Sequence, residues 1–274
     1  VVIGWPAGQP LDENHLYAVQ ADLSKISQER VSALCERYGL QGTNFSTGAA
    51  PSVQSQHLHI SYFSRYWHQA DPDFLPQTQF VGGTMRPPRL PLPEWVTQLP
   101  ETPRAAFITL GSAFTGDLGF LSWAAQAAAR LKLIPIVVLG GNPEPEKKEQ
   151  LKAALPPGTR LLAWVDYDQV LPRCAVIIHH GGMGTTHRAI LQGIPQVVVP
   201  HAADQRVQGQ RVAQAKVGLN LTAHDVRHGQ LLPAIRAVLT DERVLENARS
   251  LAAEFAGLGG VERAADLIEA VRAS

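Results

Sequence analysis

With 274 residues, 45% of them hydrophobic and 18% charged, the chain has the make-up of a globular protein able to bury a sizeable core. Its 24 Lys and Arg balance its 24 Asp and Glu, which excludes a polyanion binder that relies on excess positive charge but leaves room for one phosphorylated ligand. The only cysteines, Cys35 and Cys174, are too few for a disulfide framework and point to a reducing, cytoplasmic setting; no apolar run approaches the roughly 20 residues that span a bilayer.

The chain opens on Val1-Val2-Ile3, strand-like from the first residue and without a leading Met, so sequence upstream is expected. A helix is expected over Asp22 to Tyr38, with Ile26, Val31, Leu34 and Cys35 as its apolar positions. An irregular aromatic stretch follows, through Phe45, Tyr62, Phe63, Tyr66 and Trp67, which either faces a small-molecule ligand or belongs to a core. Between Gly82 and Pro103 lie Pro87, Pro88, Pro91, Pro93 and Pro100. Proline removes a backbone donor and restricts its neighbour, so a stiff linker is expected there.

After Arg104 the pattern becomes regular. Short Val-, Ile- and Leu-rich runs at Ala106–Leu110, Ile134–Leu139, Arg160–Trp164, Val176–His179 and Gln196–Val199 read as parallel strands buried on both faces. Helical segments separate them at Leu118–Leu131, Glu146–Leu155, Thr185–Gln192 and Asp204–Ala215. Strict alternation predicts an α/β fold with a doubly wound parallel sheet, whose ligands sit beyond the carboxyl ends of the strands. Gln230–Leu239, Val244–Phe255 and Val261–Ala273 read as three closing helices.

The most informative stretch runs from Val176 to Thr186. A buried strand ends at His179-His180, passes Gly181, Gly182 and Gly184 around Met183, and enters a helix at Thr185-Thr186. Glycines admit close approach of a ligand to the backbone, and free amides at a helix N-terminus favour an anion. Threonine adds hydroxyl donors and is able to cap the helix. Downstream, Gly193-Ile194-Pro195 leads into the next strand, which ends at Pro200 and is followed by Asp204-Gln205. Upstream, Trp164 closes a strand ahead of Val170-Leu171.

Together these residues resemble the signature box of family-1 glycosyltransferases, the UDP-glycosyltransferase superfamily. The box reads Trp, a Val-Leu pair, His-x-Gly-x-x-Ser/Thr, Gly-x-Pro, then an acidic residue and Gln. The His-His-Gly-Gly-x-Gly-Thr-Thr run is similar to the bacterial branch. The resemblance covers the chain from about Gly82 onward. It implies the GT-B fold, two doubly wound domains facing across a cleft. Residues 1–81 would then be a remnant of the N-terminal acceptor domain, 82–103 the interdomain linker and 104–274 the nucleotide-sugar-binding domain, leaving the second Rossmann-like domain incomplete.

The resemblance also implies roles. Trp164 stacks on the nucleobase and the Val165 backbone meets the base edge, although a Trp at a strand end is as often core. His180 donates to the diphosphate, with Gly182, Met183, Gly184 and Thr185 adding backbone and hydroxyl donors. Asp204 and Gln205 bind the hydroxyls of the donor sugar, and Ser112, in Thr109-Leu110-Gly111-Ser112, reaches the diphosphate. The implied reaction moves a hexosyl group from a UDP-sugar, or second a dTDP-sugar, to a hydroxyl of a small lipophilic acceptor. It proceeds with inversion, needs no metal or other cofactor, and involves no nucleic acid. Two departures bear on the nucleotide: Asp166-Tyr167 stand where Pro-Gln is common, and Arg188 replaces the ribose-gripping Glu of plant members. Arg188 cannot accept a hydrogen bond.

Other motifs carry less. Asp166-Tyr167-Asp168 spells a metal-binding Asp-x-Asp but follows the tryptophan, and Asp168 is expected to cap a short helix. His179, His180 and His187 do not impose zinc geometry. The family's N-terminal Gly-His-x-x-Pro is absent, so no catalytic base is assigned among His15, His57, His59 and His68. Two other readings stay open: a donor-binding module completed by a separate acceptor-domain chain, and a UDP-sugar 2-epimerase-like enzyme, whose Ser-Gly-Gly loop is missing.

Overall fold

The computed structural model describes residues 25–26, 29–30, 32–39, 57–68, 74–85, 91–101, 104–112, 117–141, 144–201 and 204–273. The expectations for residues 1–3, for His15, for Phe45 and for positions 86–90 and 102–103 of the proline-rich run lie outside them. Residues 32–38 are helical (α1), as expected. The aromatic stretch is less irregular than its composition suggests. Strand β1 (His59–Ser61) pairs in parallel with β2 (Thr78–Phe80), and a 3-10 turn covers Tyr66–His68.

The alternation after Arg104 forms a six-stranded sheet. Its strands are β3 (Ala105–Thr109), β4 (Ile134–Val138), β5 (Arg160–Leu162), β6 (Cys174–His179), β7 (Gln196–Val198) and β8 (Gly218–Asn220). The spatial order is β5-β4-β3-β6-β7-β8, with every neighbouring pair parallel. The chain thus winds outward in one direction from β3 and in the other from β6. That reversal opens a crevice at the carboxyl ends of those two strands.

Each face of the sheet is covered by helices. Helix α3 (Leu118–Arg130) starts at Asp117, whose carboxylate accepts the Phe120 N–H, and lies with α9 (Leu231–Thr240) over Ile108, Val137 and Ile178. Ala124, Ala125 and Ala128 let α3 lie close to the strands. The opposite face, Phe107, Ile136 and Ile177, is covered by Val96, Leu99, Val170, Leu171 and Ala189. Val96 belongs to a short helix, α2 (Glu94–Thr97), inside the segment expected to be a bare linker. Proline at position 93 suits the residue before a first helical turn, where no intrahelical N–H is lost.

The remaining helices are α4 (Pro145–Ala154), α5 (Tyr167–Val170), α6 (Met183–Leu191), α7 (Gln205–Gln214), α8 (Ala223–Arg227), α10 (Glu242–Gly257) and α11 (Gly260–Ala273). Helix α10 joins the aromatic stretch to the large sheet. Phe63 stacks on Trp67 and meets Phe255 edge-on, in one cluster with Ile190, Leu191 and Leu251. The Gly260 N–H donates to Val81 O at 2.7 Å and the Val261 N–H to Thr84 Oγ1 at 2.8 Å. Of the aromatic stretch, Phe63 and Trp67 are therefore core, while Tyr62 and Tyr66 face outward. Among the described residues no helix is long and apolar enough to cross a membrane.

Candidate functional site

Every candidate residue lies at the carboxyl edge of the large sheet, on a loop or in the first turn of the helix that follows it. Trp164 and Val165 follow β5, Ser112 follows β3, His180 to Thr185 follow β6, and Asp204 and Gln205 follow β7. Trp164 stands two residues past the end of β5 and is 70% exposed, so its indole is not part of the core. Val165, by contrast, is buried against the sheet.

Strand β6 ends in a supported histidine. His179 is fully buried; its Nδ1 accepts the Gly181 N–H at 3.1 Å, which leaves Nε2 to donate to Gln196 Oε1 at 3.0 Å. Burial, aided by neighbouring His180, pushes its pKa down to about 3. This neutral ring fixes the turn that begins the glycine loop.

The next ring, His180, is held between two glycines. A Cβ on Gly111 would come 2.7 Å from its Cε1, and one on Gly182 would overlap its Nε2. Gly111 also takes φ +71°, a conformation glycine adopts without strain. Burial first, then the charge of His201, lowers the His180 pKa to about 4, against an opposing pull from Asp204. Its buried Nδ1 has no hydrogen-bond partner among the described residues. Neutral imidazole carries one N–H, so the ring offers a polar atom that the protein does not satisfy.

Helix α6 begins at Met183, with Gly182 as N-cap and no side-chain cap. The threonines therefore sit within the first turn rather than at the cap, and both are buried. The amides of Met183, Gly184 and Thr185 have no acceptor within the helix. A Cβ on Gly184 would meet nothing within 4 Å, so the space before them is open. On the next loop, Asp204 is exposed at the start of α7 and makes no capping bond. Gln205 is buried, and its Oε1 accepts the His201 N–H at 2.8 Å. Exposed Ser112 lies next to Gly111.

Residues 136–268 match the family described as Erythromycin biosynthesis protein CIII-like, C-terminal domain. The chain is 34% identical over 168 residues to erythronolide mycarosyltransferase of Saccharopolyspora erythraea, covering 60% of this chain and 38% of that one. It is 30% identical over 163 residues to NDP-glycosyltransferase YjiC of Bacillus subtilis (strain 168), covering 60% and 41%. The solved glycotransferase of kitacinnamycin superposes with a TM-score of 0.73 at 24% identity, over 94% of this chain and 66% of that one. CalG4, the calicheamicin glycosyltransferase, superposes at 0.70 and 22% identity, over 98% and 67%. The chain therefore has the GT-B fold of these solved glycosyltransferases, and its residues 136–268 carry the matched domain. It spans about two fifths of the length of the two curated relatives above.

Within this glycosyltransferase fold, one departure from the family box acquires a structural partner. Asp166, not Asp168 as expected, caps α5, accepting the Asp168 N–H at 3.1 Å. The Asp168 carboxylate turns instead to Arg188, whose Nη1 lies 2.8 Å from Oδ1 and 2.6 Å from Oδ2. A cap must precede the first turn, and Asp168 is the second residue within it. Arg188 is thus committed to a carboxylate from the preceding strand-helix unit. Replacing it by Ala should strand a mostly buried carboxylate and cost about 1–3 kcal/mol. Urea unfolding of Arg188→Ala, Asp168→Asn and the double variant measures this; additive losses would mean that the pair contributes nothing. Among the described residues no group of three or more His, Cys, Asp or Glu is arranged to hold a metal ion.

Sequence reasoning passed over three residues of this edge. His179 was read as a strand end and weighed only for zinc, Gln196 only as the start of a strand, and Gly140 not at all. Gly111 and Gly140 each stand two residues past a buried strand, after a leucine, and that repeated strand–Leu–Gly pattern is the signal that marks them.

Proposed function

We propose that the chain binds a nucleoside-diphosphate sugar along this carboxyl edge and is the donor half of a glycosyltransferase. The base lies on Trp164 beside the Val165 backbone. The diphosphate meets His180, Ser112 and the first-turn amides of Gly182 to Thr185, and the sugar hydroxyls meet Asp204 and Gln205. The observation that carries this reading is the unpartnered His180 ring, held between Gly111 and Gly182 at the point where the sheet order reverses. A neutral N–H donor beside free helix-start amides suits an anion without needing a counter-cation.

The reaction is transfer of a hexosyl group to a hydroxyl of a small lipophilic acceptor, with inversion and without metal, in a cytoplasmic setting. UDP is the first choice of nucleotide and dTDP the second; the solved VinC, similar in fold at a TM-score of 0.58, is a complex with dTDP. The division into 1–81, 82–103 and 104–274 belongs to the same reading. The acceptor-side base stays unassigned: among the described candidates, His59 is exposed and its Nδ1 lies 3.0 Å from Thr78 Oγ1. A second reading, a donor-binding module completed by a separate acceptor-domain chain, uses the same site.

Calorimetry of the 274-residue chain with UDP and dTDP tests the assignment, and absence of binding by either to folded protein would sink it. Trp164→Ala should weaken binding by about 1–3 kcal/mol, the range for base–aromatic stacking. Because the exposed indole supports no core, the variant should melt with the parent chain. A matched fall in stability would mean that the side chain is structural.

A further inference from the structure

Past Gln205 the carboxyl edge continues into a cavity of about 720 Å³, within the range that holds small organic ligands. Its floor is the loop after β7, Val199 to His201, and its walls come from the starts of α3, α7 and α8. None of its lining residues is a candidate nucleotide contact. One side is apolar: Phe120, Trp123, Leu221 and Val226, with the Trp123 indole about half exposed.

The charged groups are unevenly engaged. The carboxylate of Asp117 accepts the Phe120 N–H through Oδ1 at 2.9 Å and lies 3.3 Å from His201 Nε2 through Oδ2. The hydrogen bond to His201 is the main cause of its lowered pKa. His201 is fixed in turn, its Nδ1 donating to Val199 O at 2.8 Å. The negative charge of the cavity is therefore spent on a helix N-terminus and an imidazole. Two guanidinium groups, Arg206 and Arg227, also line the cavity, and neither forms an ion pair among the described residues. Arg227 uses only Nε, donating to Ala223 O at 3.2 Å. An aromatic wall beside two uncommitted guanidiniums suits a ring or short hydrocarbon body ending in a carboxylate.

We propose that this cavity is a second small-molecule site, separate from the nucleotide groove, for an amphipathic organic carboxylate. The body packs on Trp123, Phe120 and Val226, and the carboxylate is received by Arg206 and Arg227.

The test uses the full 274-residue chain with 2-naphthoate as probe, followed by calorimetry and by saturation-transfer NMR. Saturable 1:1 binding is expected, with uncharged 2-naphthylmethanol binding about tenfold or more weakly. Arg206→Gln and Arg227→Gln together should weaken naphthoate about tenfold or more. Both arginines are on the surface, so the double variant should fold, and it should bind UDP as the parent does. Trp123→Leu should reduce affinity for acid and alcohol alike, separating the apolar wall from the charged one. The proposal is overturned by no naphthoate binding, by equal affinity for the acid and the alcohol, by an undiminished affinity in the arginine variant, or by one-for-one displacement by UDP. Naphthoate binding of the expected kind without any UDP binding would remove the donor assignment and leave this site standing; the reverse would remove only this site.

Discussion

The fold should lose about 5 kcal/mol of stability between pH 6.5 and pH 4.5, before most carboxylates take up protons. The cause is the pair of histidines that ends β6. His179 and His180 are held neutral in the folded state, with pKa values near 3 and 4, both driven down chiefly by burial. In the unfolded chain each returns to the ordinary value of about 6.5. As pH falls below 6.5 the unfolded state binds protons that the folded state refuses, so stability falls with pH. The contribution is intact above pH 6.5 and drains away until the folded pKa values are reached. Two groups give a slope of at most about 3 kcal/mol per pH unit, and the total is a large share of the roughly 5–15 kcal/mol that holds a domain together. Geometry gives the reason for His179. Its Nδ1 accepts the Gly181 N–H, so protonation breaks that bond and sets two donors against each other. His187, also lowered mainly by burial, acts in the same direction, while Asp117, lowered mainly by its bond with His201, adds its effect only below about pH 4. Urea unfolding at a series of pH values measures the slope, and His180→Asn should cut it by about half. A midpoint unchanged from pH 7 to pH 5 would mean that these rings are not buried as described.

The large sheet was legible because its strands are buried on both faces. Ile134–Val138 is apolar throughout and rich in Val and Ile, and Ala105–Thr109 is apolar but for Thr109, with every residue buried. Strand β8 was missed because Gly218-Leu219-Asn220 is short, polar at one end and on the sheet edge, where little burial marks it. Strands β1 and β2 were hidden similarly, since three residues each carry no readable period. At the site, the local part of the pattern was readable: the glycine loop, the helix that follows it and the loop with Asp204-Gln205. The distant part was not. Arg188 pairs with Asp168 across 20 positions, and His201 meets Asp117 across 84, and neither contact leaves a trace in local sequence. The exposed Trp164 shows the same limit. A tryptophan near a buried strand end reads as core or ligand platform with equal ease until its surroundings are known.

Gly140→Ala should destabilise the chain by about 3 kcal/mol or more, whereas Gly182→Ala, in the same crevice, should leave stability nearly unchanged and weaken UDP binding instead. Gly140 has φ +70°, where an L side chain is strained, and its Cβ would overlap the carbonyl oxygen of Gly111. The obstruction is main chain, so nothing can rotate away. Either the loop after β4 or the loop after β3 must move, and the second of these lies against His180. For a domain of this size such a loss corresponds to a melting point lower by about 6–12 °C. Gly182 has φ −61° and ψ 138°, ordinary for any residue, so its backbone is unstrained by substitution. There the added Cβ overlaps only the ring of His180, at Nε2 and Cε1, a side chain rather than main chain. The cost should therefore be paid in ligand binding, as the ring leaves its position between the glycines. Loss of one hydrogen bond to a charged group corresponds to about a tenfold or greater fall in UDP affinity. Gly257→Ala, in α10, serves as the control, since its Cβ would meet nothing within 4 Å. Thermal melts and UDP titrations on the three variants separate the two effects. Should Gly140→Ala melt with the parent chain, the contact between the β3 and β4 loops is not as described; should Gly182→Ala bind UDP undiminished, His180 is not a diphosphate donor.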